Sequence, residues 1–371
     1  MKKKLSAFIG VLIISLLTLS FLCSCGSTLP SMPQFSEFKV NGDAVASEIC
    51  AVKDDYKSIV TIISDDGYYE SGVIFNDLAK ELDLNVTVAG AVNIIAPKEK
   101  KWKEIESEGH VDLVSHSYTH VKVTTEANLT NEQVRHEYAD AKEYYKQNFK
   151  TPSFTIVAPE NTTTPYGFTV WQEIGLLAAR LGTRGENPLH KKISYGTAQG
   201  EWLNLRMRGL YDAKDTAGRN AWIDSAIKNE TWLIEMWHDI SPNGNVHFQP
   251  ISTEKAKEHM SYISERQKEK KIWAASFTQA VSYLYQRDNG ETEAYEMDGA
   301  IAVKYNRIRD DLPWDEFNVP VTVKIALPQN VQIESVHDDK SFIDFEEKDD
   351  YVLVNVPTDG TTVYLHEKTT V

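Results

Sequence analysis

The chain predicts an α/β barrel followed by a small all-β module, and three observations carry that prediction. Between about Tyr56 and Arg287, short β-branched runs alternate with segments of helical period. Seven or eight βα units in a row point to a parallel barrel or a doubly wound sheet. The chemically distinctive residues, Asp65, Asp66, His116, His120 and His238, all follow the carboxyl ends of such runs. That is the face on which the active sites of βα barrels gather, because the βα loops converge there, and it favours the barrel. Beyond Met297 the helical period gives way to alternating runs separated by turn residues, the pattern of a sandwich.

The first residues stand apart from any folded domain. Lys2, Lys3 and Lys4 precede an apolar run from Phe8 to Leu22, which ends in Leu22-Cys23-Ser24-Cys25-Gly26. This shape resembles a bacterial lipoprotein signal peptide over residues 1–24, whose removal leaves an acylated Cys25. The run is short for a span of about 20 residues and has no basic flank after it. The resemblance implies a chain held at the bacterial cell envelope, on the outer membrane or cell surface, by lipid at Cys25. Residues 25–52 then read as tether and lead-in. With Cys23 removed, Cys50 is the one remaining cysteine besides Cys25, so no intramolecular disulfide is expected and Cys50 reads as a half-buried apolar residue. The formal net charge is −15, and loss of the three lysines makes the balance more acidic. Such a surface argues against nucleic acid or anionic lipid as a partner and is compatible with neutral glycans.

Taken in order, the expected barrel strands are Ser58 to Ile63, Asn85 to Val88, Val111 to Ser115, Phe154 to Ala158, Leu177 to Arg180, Trp202 to Arg208, Thr231 to Trp237 and Ile272 to Ala275. Helices fit between most of them. The clearest covers Asn131 to Phe149, with Thr130 and Gln133 in capping-box spacing, and another covers Thr253 to Lys268. The barrel is assigned to residues 53–288. An acidic stretch from Asp288 to Met297 marks a boundary, and residues 297–371 form the β module, with strands at Ala300 to Ile308, Val319 to Ala326, Val331 to Val336, Tyr351 to Val356 and Thr362 to Leu365. His337 and His366 look isolated there, so no metal-ligand cluster is expected in the module.

Alone, Ser64-Asp65-Asp66-Gly67 is a common turn, and His116 with His120 is as often a coincidence as a ligand pair. Their joint placement on successive strand ends changes that reading. Two imidazoles at i and i+4 share one face of a helical turn, and a carboxylate from another strand end completes three ligands with a position left open for water.

The segments Ile-Val-Thr-Ile-Ile-Ser-Asp-Asp-Gly (59–67), Ser-His-Ser-Tyr-Thr-His (115–120) and Trp-Leu-Ile-Glu-Met-Trp-His-Asp-Ile (232–240) resemble three signature segments of the NodB-type polysaccharide deacetylases, the family-four carbohydrate esterases. The likeness spans about Lys57 to Arg287 and implies an irregular (β/α)7-type barrel. It also implies that Asp65 is the catalytic base, that Asp66, His116 and His120 bind a divalent metal, and that His238 is the acid. The chemistry requires the same division of labour. Adjacent carboxylates on a strand end point in different directions, so one faces the metal while the other takes a proton. Family members often carry an Arg-x-Pro-Tyr motif whose arginine orients the base; here the matching strand end is Val157-Ala158-Pro159-Glu160-Asn161, without arginine. Arg180, at the end of the next strand, and Arg184 are the candidates to replace it. The partner of His238 is open between Asp212, Asp215 and Asp239.

The resulting reading is a lipid-anchored, metal-dependent hydrolase that removes acetyl groups from an acetylated polysaccharide or oligosaccharide. Zinc is the first choice of metal, with cobalt, nickel or manganese as alternatives. The competing reading is a catalytically decayed glycan-binding surface lipoprotein, with the missing arginine as its mark. Trp202, Trp222, Trp232, Trp237 and Trp273 read as core, with Trp237, next to the acid, the one of them also considered for substrate contact, and His110, His136, His190 and His259 read as surface positions. His247 reads as a solvent-facing loop residue.

Overall fold

The computed structural model describes residues 44–190, 201–297, 299–309, 319–327 and 331–368. The proposed signal peptide, the Cys25 anchor and most of the tether lie outside them. Strand β1 is Ser47–Ile49 and belongs to the β module described below. The barrel strands are β2 (Ser58–Ser64), β3 (Val86–Gly90), β4 (Val111–Ser115), β5 (Thr155–Val157), β6 (Ala178–Arg184), β7 (Leu205–Gly209) and β8 (Thr231–Trp237). Each pairs in parallel with the next, and β8 pairs with β2 over Ile59 to Ser64, which closes a seven-stranded ring. A further strand, β9 (Ile272–Ala274), lies along the first half of β2, where β3 has not yet reached it. The irregular seven-stranded barrel expected from the sequence is therefore the observed fold.

Every residue of β2 is buried, because helices cover the outside of the ring while side chains fill its inside. Alternation along each strand sorts the two faces. Ile59, Ile63, Val114, Val157, Ala178, Trp232, Ile234 and Met236 belong to the inner core, whereas Val60, Ile62, Leu113, Leu233 and Trp237 pack outward with the helices. The expected helix over 131–149 forms over 131–148 with a π-type segment at His136–Asp140, and the Thr130/Gln133 capping box is present. The expected helix Thr253–Lys268 forms with those bounds.

The acidic stretch expected as a boundary is itself a strand, β10 (Gly290–Met297). It forms the edge of an antiparallel sheet with β11 (Ala300–Arg307), and the lead-in covers part of that edge, with Ala44 bridging Tyr295 and the Val45 amide donating to the Ala294 carbonyl at 2.9 Å. Strands β12 (Val321–Ala326), β13 (Ile333–His337), β14 (Phe345–Glu347), β15 (Tyr351–Val356) and β16 (Thr362–Glu367) complete two four-stranded antiparallel sheets in the orders β10-β11-β16-β13 and β1-β12-β15-β14. The lead-in thus contributes a strand: Ser47 to Ile49 pair with Ile325 to Val323. The inner faces of both sheets share one continuous core with the barrel interior and the last barrel helix, Phe277–Asp288. Tyr283 donates to the Cys50 carbonyl at 2.9 Å, and Tyr305 donates to the Gln286 carbonyl at 2.8 Å. Cys50 is buried rather than half-buried, and burial pushes its thiol up to about 12.

Candidate metal centre

Strand parity decides which side chains reach the mouth of the barrel. Asp65 continues the inward phase of Ile59 and Ile63, His116 that of Val114, Arg180 that of Ala178, and His238 that of Ile234 and Met236. Asp66 is in the opposite phase and turns back through a left-handed backbone, φ +76°. Gly67 follows at φ +87°, and a Cβ there would lie 2.8 Å from the Gly90 Cα, so the turn admits only glycine.

Asp66 Oδ1 lies 3.0 Å from His120 Nε2 and 3.7 Å from His116 Nε2, and one donor atom from each residue falls within 4.8 Å of the others. The two histidines do not share a helical turn, as their spacing suggests. The segment after β4 is a loop in which Ser117 (φ +67°) and His120 (φ +64°) are both left-handed. Glu137 holds that loop by accepting from the amides of Tyr118 (3.1 Å) and Thr119 (2.9 Å) and from the Thr119 hydroxyl. The His116 Nδ1 donates to the Val157 carbonyl at 2.8 Å, which leaves the Nε2 lone pair aimed at the cluster. Burial holds His116 well below the usual histidine range, at about 4, and hence neutral. Burial works to raise Asp66, but the hydrogen bond with His120 and the neighbouring imidazoles outweigh it and keep the carboxylate ionised. His120 is raised by that same hydrogen bond. Two imidazole nitrogens and one carboxylate oxygen, converging in a largely buried site, fit a divalent cation, whose binding would displace the proton that His120 shares with Asp66.

Asp65 is 3% exposed and Arg180 is fully buried. Arg180 Nη2 donates to Asp65 Oδ2, Nη1 donates to Asn161 Oδ1, and the Met236 sulfur lies 3.7 Å from Nη1. Arg180 pairs laterally with Val157, so the guanidinium comes from the strand beside the one that lacks the arginine. Arg184 does not reach Asp65; its Nε pairs with Asp212 at 2.7 Å on the rim. The second oxygen of Asp65 is buried without a hydrogen-bond partner. His238 lines the same cavity of about 300 Å³, together with Asp65, Asp66, His116, His120, Tyr68, Glu160, Asn161, Arg184, Met236, Phe248 and Gln249. Asp212 is held by Arg184 and the Gly209 amide, and Asp215 caps Gly218. Neither is bonded to the His238 ring. Asp239 is buried next to it in sequence, with one oxygen unpartnered.

Several expectations about single residues are corrected. Trp237 is core and drops out as a substrate contact: it is fully buried on the outer face of β8, donating to Glu235 at 3.0 Å. His259 is not a surface residue but lies 3.0 Å from Glu235, with both side chains fully buried. His337 and His366 are not isolated; their rings stack with Nε2 atoms 2.8 Å apart. His247 is exposed but stacked on Tyr68, with ring centroids 3.9 Å apart. Asn161, Glu137, Tyr68 and Phe248 join the site without having been expected there. Asn161 stood within the quoted Pro159-Glu160-Asn161 segment, while the others carry no local signal because their partners are 19 or more residues away or across a loop.

No curated protein matches the chain. Similar solved structures include the family 4 carbohydrate esterase from Streptomyces lividans in complex with acetate (14% identity, TM-score 0.40, covering 60% of this chain and 93% of that one). Others are the family 4 acetyl xylan esterase from Clostridium thermocellum in complex with a cobalt ion (15%, 0.40, 60% and 89%) and a CE4 family pseudoenzyme from Bacillus anthracis (11%, 0.41, 60% and 65%). The architecture rests on the strand order and ring closure rather than on these likenesses. The segment carrying Asp65, Asp66, His116 and His120 falls within residues 53–179, which match the family profile described as polysaccharide deacetylase. Arg180 and His238 lie beyond it, so the likeness to the polysaccharide deacetylase family extends over the first part of the barrel.

Proposed function

We propose that the protein is a metal-dependent carbohydrate deacetylase that releases acetate from an N- or O-acetylated glycan at the bacterial cell envelope. One observation carries the reading: a single cavity brings the Asp66–His116–His120 donor set beside Asp65, which Arg180 holds, and opposite His238. Asp66, His116 and His120 would hold the cation, zinc first and cobalt, nickel or manganese as alternatives, which activates water and polarises an acetyl carbonyl. Asp65 accepts the proton of the attacking water. Its Oδ2 is fixed by Arg180, so the unpartnered Oδ1 is the oxygen free to take that proton. His238, with no hydrogen bond to its ring among the described residues, delivers a proton to the departing nitrogen or oxygen.

The decayed-enzyme alternative drew on the absent arginine of the strand that ends at Val157. Arg180 brings a guanidinium to Asp65 from the neighbouring strand, which supports the enzyme reading. Acetate release from acetylated xylan and from N-acetylated chito-oligosaccharides tests it, with and without chelator. Release that stops with chelator and returns with zinc, cobalt, nickel or manganese is expected, whereas no release under any of these metals refutes the proposal. Attachment through Cys25 is tested by labelling cells with a fatty-acid analogue. The label should disappear in Cys25→Ala, and its persistence would refute the anchor. Among the described residues no helix is long and apolar enough to cross a membrane.

A further inference from the structure

The loop after β8 returns to its own stem, where Ile240 and Ser241 pair in parallel with Ile251 and Ser252. Ile251 donates to the Asp239 carbonyl at 2.9 Å, and the Tyr211 hydroxyl donates to the Pro250 carbonyl. At the tip, Phe248 is 57% exposed and lines the cavity. Its neighbours His247 (φ +54°) and Gln249 (φ +42°) are both left-handed, and His247 is stacked on Tyr68 from the loop after β2. The ring of Phe248 meets that of His238 nearly at right angles, 83°, with centroids 4.8 Å apart. A perpendicular contact uses at most one face of the phenyl ring, so at least one face stays open to water. Leaving a phenylalanine largely in water forgoes part of the free energy of its burial, and among the described residues no other ring stacks on that face.

We propose that Phe248 is the sugar-stacking residue of this site. The open face receives the apolar C–H face of the pyranose ring next to the acetylated one, about one sugar's width from His238. The inference rests on the deacetylase reading for its choice of ligand. A neutral glycan suits it, because the ring offers a π-face without charge on a chain whose net charge is −15. The chain then selects for oligosaccharides over single sugars.

The test uses the metal-loaded full chain and two variants, Phe248→Ala and Phe248→Trp. Binding of xylopentaose and of the fully deacetylated glucosamine pentamer, neither of which carries an acetyl group to hydrolyse, is measured by calorimetry; acetate release from acetylated forms of each is measured alongside. Phe248→Ala should weaken binding and raise KM by on the order of tenfold, with most of the loss in kcat/KM carried by KM, and Phe248→Trp should restore both. Unchanged binding and KM in Phe248→Ala, or no binding of either sugar by the wild-type chain, overturns the inference. Phe248-dependent binding without acetate release leaves it standing and removes the deacetylase reading instead. Acetate release that ignores Phe248 does the reverse.

Discussion

Replacing Asp65 by asparagine probes both the chemistry and the construction of the site. An amide cannot accept the water proton, so the single-turnover rate should fall by on the order of 10²- to 10⁴-fold, the usual worth of a positioned general base. Metal content should stay at the wild-type level, because Asp65 is outside the donor set of Asp66, His116 and His120. The structure adds a second expectation. Arg180 is fully buried, and Asp65 is the carboxylate paired with it. Removing one charge of a buried pair costs about 3–5 kcal/mol, and because the amide oxygen still accepts from Arg180, about 3 kcal/mol is expected. For a chain of 371 residues that lowers Tm by roughly 4 °C. Adding Arg180→Met to Asp65→Asn removes the stranded charge, so Tm should recover while the rate does not. The assays are metal content by plasma mass spectrometry, single-turnover acetate release and thermal unfolding. Loss of metal in Asp65→Asn with retention in Asp66→Ala would reverse the two roles. A wild-type rate in Asp65→Asn would end the base assignment, and an unchanged Tm would end the buried-pair argument.

His238→Ala should keep its metal and lose most rate on N-acetyl substrates, whose amine leaving group needs a proton more than a sugar alkoxide does; equal losses on O-acetyl and N-acetyl substrates refute the acid role. Stability of the chelated protein should fall with pH across the window from 6.5 to about 4. There the unfolded chain protonates His116 and the folded one does not, and the loss is about 1.4 kcal/mol per unit. Asp66, lowered by its surroundings, adds to the loss at still lower pH, while His120, raised, works in the opposite sense and favours the folded state below its ordinary value. Denaturant titrations from pH 7 to 4 check this, and a flat profile would contradict it. A chain ending at Arg287 should lose cooperative unfolding, since the barrel helix Phe277–Asp288 shares its core with Val303, Tyr305 and Ile325; a stable, metal-binding truncation refutes that reading.

Much of this was legible because the signals are local. A run such as Ile59 to Ile63 is apolar in both phases, which marks a strand covered on both faces, and the acidic pair that follows marks its mouth. The conformation of the His116–His120 loop was not legible, because spacing alone does not distinguish a helical turn from a loop with two left-handed residues. Nor was the seat of His259, whose buried partner Glu235 stands 24 residues earlier. Gly290 to Met297 escaped as a strand for a different reason: an edge strand keeps charge on its outer side, so its alternation is muted. Asn161 was not legible because its partner Arg180 stands 19 residues later, and only the lateral pairing of Val157 with Arg180 brings the two together.

The pairing of β1 with β12 sets a direction for the whole molecule. The described chain enters through the β module, which packs on the end of the barrel where β2 begins, while the cavity opens where β2 finishes, seven residues or roughly 20 Å further on. If the proposed anchor at Cys25 is present, the leash would join the described chain on the side of the β module, opposite the mouth.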